Sequence, residues 1–199
     1  MATPVAELKR LFIAGAGGFG GECEQWLMTR GVKVHNYLDD DNPACIRIND
    51  YRPKDGDQVL VAISDPKGRE QVVKRLKERG AVFHGMLFHI CPPSAKIGGG
   101  VVSCPYSAVS AFAKVGDFCH INLLSTVGHH VTLGDFCTLS CHVDLTGHVT
   151  VGRGVYFGSG ARVLPRVSIG DYATIGAGAV VVSDVPAGAT IYAQPGRML

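Results

Sequence analysis

The stretch VGDFCHINLLSTVGHHVTLGDFCTLSCHVDLTGHVTVG, residues 115–152, decides the fold. Stepping by six through it meets Val115, Ile121, Val127, Leu133, Leu139, Leu145 and Val151. Extended outward, the same phase runs from Ile97 to Val181, and fourteen of its fifteen positions are apolar; Ser103 is the exception. Two residues before each large position stands a small one, as at Ala113, Cys119, Ser125 and Cys137, and a glycine often follows the large one. A period of six fits neither an α-helix nor a hairpin meander. It fits a triangular solenoid in which each hexapeptide forms one side and the large aliphatic points inward. Polar residues are expected on the outside and at the corners. Three sides close an 18-residue coil, so about five coils stack at roughly 4.8 Å. Cys119 and Cys137 stand one coil apart and are expected to stack in the core.

The phase never slips between Ile97 and Val181, which leaves no room for a long insertion to build a pocket. Recognition of a substrate therefore falls to the residues in front. There Leu11–Ala14 reads as a buried strand, followed by GAGGFGGE and a helical pattern through Cys23, Trp26 and Leu27, with Gly31 as its stop. Val32–Leu38 and Gln58–Ile63 read as further strands. Ser64-Asp65-Pro66 opens a helix with Val72, Val73 and Leu76 as its apolar face and Gly80 at its end. Ala81–Phe88 reads as a fourth strand, and Cys91-Pro92-Pro93 as the hinge into the solenoid. Gly15, Gly17 and Gly20 form a GxGxxG between strand and helix, with Asp39 nineteen residues beyond. Such glycines let backbone approach a phosphate and aim helix-start amides at it. A dinucleotide site spans two such halves, and fewer than 90 residues precede the repeat. The expectation is an α/β half-Rossmann domain over 1–90 that takes a single nucleotide, followed by an all-β parallel β-helix over 91–199.

The totals exclude several classes. The formal charge is +2 with no basic block, so a nucleic-acid partner is not expected. The seven cysteines include no CxxC pair, no signal peptide opens the chain, and no apolar run spans a bilayer. The reading is a cytoplasmic protein with packed thiols.

A glycine-loop head before a hexapeptide prism resembles the bacterial sugar-nucleotide acetyltransferases related to sialic acid O-acetyltransferases. The residues that carry the resemblance are GAGGFG, Leu38-Asp39-Asp40, the Ile121-Asn122 and Val127-Gly128-His129-His130 rungs, and the ending IYAQPGRML. The resemblance implies a left-handed β-helix, a homotrimer, and acetylation of a nucleotide-linked or free sugar with acetyl-CoA as cosubstrate and no metal. By position it implies His129 as general base, with His130 and Asn122 beside it in the catalytic set. It places the nucleotide sugar against Gly17, Gly18, Phe19, Asp39, Asp40 and Ser64. It places coenzyme A along Thr138, Ser159, Gly176 and Ala177. Imidazole suits the role, since near neutral pH it can take a proton from an amine or hydroxyl attacking a thioester. The chain departs from the family in having His130 where a carboxylate is common, Thr138 where histidine is common, and Phe19 where the glycine loop often carries histidine.

The leading expectation is N-acetylation of a nucleotide-linked amino sugar for surface glycan synthesis. O-acetylation of a free sugar such as a sialic acid, and a non-catalytic nucleotide-binding trimeric scaffold, are the alternatives. Zinc-dependent hydration of the carbonic-anhydrase kind needs two histidines from one chain and a third from its neighbour, a spacing not matched here. His130 and His148, one coil apart, are expected to be spatial neighbours. Leu123, Leu124 and Phe136 are expected on the exposed flat sides that a trimer covers.

Overall fold

A computed structural model describes residues 9–194 and divides the chain into two compact units, Met1–Met86 and Leu87–Leu199. The motif-bearing tail from Pro195 onward, with Arg197, lies outside the described residues. The first unit holds a three-stranded parallel sheet in the order β2-β1-β3, formed by β1 (Arg10–Ala14), β2 (Val34–Leu38) and β3 (Asp57–Val61). The central strand is apolar without alternation because Leu11, Phe12, Ile13 and Ala14 are all buried. Helix α1 (Gly18–Met28) crosses from β1 to β2, and α2 (Pro66–Glu78) follows β3. Asp65 caps α2, its Oδ2 accepting the Gly68 amide at 2.6 Å, and Pro66 occupies the first turn. No helix among the described residues is long and apolar enough to cross a membrane.

The expected fourth strand is much shorter than Ala81–Phe88. Only a bridge between Phe83 and Val59 forms on β3 there, and the two-residue strand Met86–Leu87 is not part of that sheet. The Val59 amide donates to Val82 and its carbonyl accepts from His84, but the Asp57 amide is already taken by the Lys54 carbonyl. A longer ladder along β3 therefore has no donor at that end.

The second unit is a parallel β-solenoid. Its two-residue strands pair with those 18 residues on, as in Val109, Val127, Leu145, Val163 and Val181 along one side. A second side stacks Ile97, Val115, Leu133, Val151 and Ile169, and a third Ser103, Ile121, Leu139, Phe157 and Ile175. The apolar members of these stacks, with Cys119, Cys137 and the small apolar residues beside them, make one continuous core. The Cys119 and Cys137 thiols donate to the carbonyls of Gly134 and Gly152 in the next coil. Ser103 breaks the apolar phase because its hydroxyl accepts the Phe88 amide and pairs with His89 Nδ1 at 2.6 Å. Phe88 and Ile90 already donate to Ser103 and Ser107, so Cys91-Pro92-Pro93 lies inside the first coil and is not a hinge before it. The last described coil is short: Ile169 bridges Val185 and Ile175 pairs with Ile191, sixteen residues on.

The corners differ from the polar ones expected. Every sixth residue from Gly100 to Gly178 has φ between +54° and +73°, and ten of these residues are not glycine. A side chain in that region costs about 1 kcal/mol, and large rings occupy it here because they stack between coils. Phe118 lies on Phe136 at 5.3 Å, Phe112 on His130 at 4.9 Å and His130 on His148 at 4.7 Å. Such pairs are worth about 0.5–1.5 kcal/mol each, enough to offset the strained backbone. Phe136 is therefore buried and does not belong to an exposed side. The exposed apolar corners are Tyr106, Phe112 and Leu124.

Burial holds the imidazoles of His84 and His89 below the ordinary histidine range. The unfolded chain then takes up protons that the folded chain refuses, so stability is lost as pH falls below about 6.5. The melting temperature is expected to drop between pH 7 and pH 5, with a shallower drop in His89→Asn. An identical slope in that variant would remove His89 from the account.

Candidate functional site

Two sets of residues carry chemistry, one in each unit. In the first unit β1, β2 and β3 run parallel, so Gly15, Asp39 and the Ile63-Ser64 segment all emerge at the carboxyl edge of the sheet. Gly15 has φ +105°, and a Cβ on Gly20 would stand 2.0 Å from the Gly15 carbonyl oxygen. Both glycines are demanded by the fold. Gly17 and Gly18 are different: each is exposed, and a Cβ there would meet nothing within 4 Å. Gly17 precedes α1 without a side-chain cap, and no acidic side chain lies in the first turn. The amides there present partial positive charge to the open side. Phe19, in the same turn, is half-buried.

The carboxylates of Asp39 and Asp40 are engaged by the unit's own groups, and Asp40 stays exposed. The Asp39 carboxylate accepts the amides of Ala16, Asp41 and Asn42, which ties the glycine turn to the end of β2. Asp40 binds Arg75 at 2.6 Å and the Ile48 amide at 3.0 Å, and the Arg75 guanidinium holds its carboxyl below the usual range. Ser64 is exposed, and its carbonyl accepts from the guanidinium of buried Arg69.

In the solenoid, His129 and His130 follow the rung Thr126–Val127 and are both exposed. Their Nδ1 atoms lie 3.2 Å apart. His148 joins them from the next coil, its ring edge-on to His129 at 5.1 Å and stacked on His130. Its amide donates to the His129 carbonyl at 3.0 Å. Desolvation, then His130, His129 and Arg166, depress the His148 imidazole below its ordinary range. Gly147 forms the floor: a Cβ there would lie 2.5 Å from Cε1 and Nε2 of His129. Neither His148 nor Gly147 stood among the expected site residues. Counting one coil from His130 does set His148 beside it, as the structure shows, without marking it as a site residue; Gly147 gives no signal apart from the many other glycines.

The remaining expected residues divide between prism edges. Asn122 accepts from the Cys104 thiol, and Gly176 stands three coils further along the same edge. Ser159 and Ala177, one coil apart, are both exposed on this edge, and the Ser159 carbonyl accepts the Gly178 amide. The side containing Thr126–Val127 separates this edge from His129 and His130. Thr138 stands on yet another side, with 1% of its surface exposed.

Residues 148–183 match the bacterial transferase hexapeptide (six repeats) family. The chain is 30% identical to PerB from Caulobacter crescentus, solved in complex with CoA and GDP-perosamine; 91% of this chain and 92% of that one are covered, with a TM-score of 0.82. It is 25% identical to the acetyltransferase domain of PglB from Neisseria gonorrhoeae, covering 96% and 99%, with a TM-score of 0.83. WeeI from Acinetobacter baumannii is 27% identical over 96% and 99%, with a TM-score of 0.82. No curated protein sequence matches the chain at a significant level.

Proposed function

The chain belongs to the bacterial sugar acetyltransferases of the left-handed β-helix superfamily, and we propose that it transfers the acetyl group of acetyl-CoA to the amino group of a nucleotide-linked amino sugar. The observation that carries this reading is the end-to-end likeness to PerB, whose structure holds CoA and GDP-perosamine together. The product, still activated on its diphosphate, suits consumption by a glycosyltransferase that builds a surface glycan.

The first unit is read as a half-Rossmann nucleotide domain. What supports this is that Gly17 and Gly18 leave the start of α1 open, with nothing within 4 Å of where a Cβ would stand. A diphosphate approaching the start of α1 would meet backbone amides and a favourable helix dipole. Asp39 and Asp40 act in this reading by shaping the turn, while Phe19 and Ser64 offer surface to the sugar nucleotide.

His129 is the proposed base. With its Nδ1–H donated to His130 Nδ1, its Nε2 carries the lone pair. His130 thus fixes the tautomer that a carboxylate fixes elsewhere in the family. The sugar amine attacks the thioester carbonyl, Nε2 takes the ammonium proton, the C–S bond breaks, and the proton leaves with the coenzyme A thiolate. No acyl-enzyme is involved. The acetyl-CoA edge is the one bearing Ser159, Gly176 and Ala177. Because a whole side separates that edge from His129, the reading calls for the base of one prism to face the coenzyme edge of another. A homotrimer meets the requirement and also covers Tyr106, Phe112 and Leu124.

The test is thiol release from acetyl-CoA with uridine, guanosine and thymidine diphosphate amino sugars, together with calorimetric binding of each. Turnover with one of these is expected. Gly17→Glu, which the open surface tolerates, is expected to raise KM for the sugar nucleotide by about tenfold or more through charge repulsion at the phosphates. Turnover only with a free sugar would move the reading to O-acetylation, and binding of neither substrate would leave a scaffold.

A further inference from the structure

We propose that His129, His130 and His148 form a binding site for a borderline divalent transition-metal ion such as Zn²⁺, Ni²⁺, Cu²⁺ or Co²⁺, and that the ion inhibits the enzyme by occupying the base. One ligand nitrogen from each of the three rings lies within 4.8 Å of the others. Tetrahedral zinc with Zn–N of about 2.0–2.1 Å places its ligand nitrogens about 3.3 Å apart. The His129 and His130 Nδ1 atoms, at 3.2 Å, already stand at that spacing. His148 is exposed, and turning its side chain brings the third nitrogen in without moving the backbone.

The backbone beneath the cluster is fixed by the coils. The His148 amide bonds to the His129 carbonyl at 3.0 Å, and the His130 amide to the Ala111 carbonyl at 3.1 Å. His130 and His148 sit at left-handed corners with φ of 60° and 63°. The three Cα positions are therefore set before any ion arrives, and only side-chain torsions remain to be ordered. Three imidazoles without a carboxylate select against Mg²⁺ and Ca²⁺, which take oxygen ligands, and favour the borderline ions. A fourth position stays open to water. Arg166, one coil further on at the same corner, opposes a cation, so the site is one for reversible occupation and not for a permanent structural ion.

Binding needs the lone pair of His129 and breaks its hydrogen bond to His130, so the occupied enzyme has no base. That consequence rests on the proposed role of His129; metal binding itself does not. The experiment is titration of the full chain with Co²⁺ and Zn²⁺ in the absence of coenzyme A, whose thiol competes for the ion. One ion per chain is expected, with Co²⁺ visible bands of a nitrogen-oxygen site. His130→Asn and His148→Asn, which keep a residue tolerant of the left-handed corner, are expected to weaken binding by roughly tenfold or more. His142→Asn, at another edge, leaves it unchanged. In the wild type, Zn²⁺ is expected to shift the imidazole ¹⁵N signals of all three histidines. Three results overturn the proposal: no binding at submillimolar metal, equal binding by His148→Asn, or a sulfur-to-cobalt charge-transfer band. If the ion binds as described and fails to inhibit, the base assignment falls and the metal site stands.

Discussion

With His129 replaced by alanine, kcat is expected to fall by about 10²–10⁴-fold, the range for removing a general base. Acetyl-CoA binding and assembly should be retained. The side chain is exposed and its backbone is not at a left-handed corner, so truncation opens no cavity and strains nothing. Gly147→Ala tests the same group from beneath. Its methyl group would stand 2.5 Å from the reactive edge of the His129 ring, in the adjoining coil. The exposed ring must swing away, and displacement of a catalytic group by about 1 Å can cost 10²-fold in rate. The variant should therefore lose kcat with KM for acetyl-CoA and melting temperature near those of the wild type. Steady-state kinetics beside a thermal melt decides it. Full activity in both variants would move the base elsewhere.

The largest expected loss of stability lies in the other unit. The register of β1 with β3 sets Arg10 beside Asp57, and the guanidinium binds the carboxylate through two hydrogen bonds of 2.7 Å. The Asp57 side chain is fully buried while that of Arg10 is 30% exposed. Burial pushes the Asp57 carboxyl up, but Arg10 and the Lys54 amide together hold it below the ordinary range. In Arg10→Met the carboxylate stays buried with its cation gone, which costs about 3–5 kcal/mol for such a broken pair. Urea unfolding at pH 7 should reveal that loss. The deficit should shrink as pH falls towards 4 and the stranded carboxyl takes a proton. Replacing both residues, Arg10→Met with Asp57→Leu, should recover most of it. A single variant within 1 kcal/mol of the wild type would mean that water reaches Asp57 after the substitution.

The solenoid was legible because one structural rule acts at every sixth residue. A single interior position repeats, so chance apolar residues average out and the phase survives Ser103. The corners were not legible. Sequence hydropathy cannot tell that Phe118 and Phe136 lie on one another at a strained turn, since that depends on which residues fall one coil apart at one edge. The same arithmetic, applied to His130, placed His148. For Thr138 the period gives a side but not its burial, because an outward position can still be covered. In the first unit, the glycine motif located the turn after β1 but could not separate Gly20, which the fold needs, from Gly17, which it does not. Asp39 reads from sequence as a contact for the nucleotide sugar; only the structure reveals the three backbone amides it already holds.

The sixteen-residue coil bears on how one solenoid avoids stacking on another. The open end of a parallel solenoid is a ring of unpaired strand edges, and a second copy could extend it end to end into a fibre. Growth of that kind requires the added layer to repeat the one below it. Here Val185 and Ile191 meet Ile169 and Ile175 two residues early, so that layer does not carry the eighteen-residue spacing of those below it. A layer out of step with those beneath it works against such stacking, using the same strand chemistry that would otherwise sustain it.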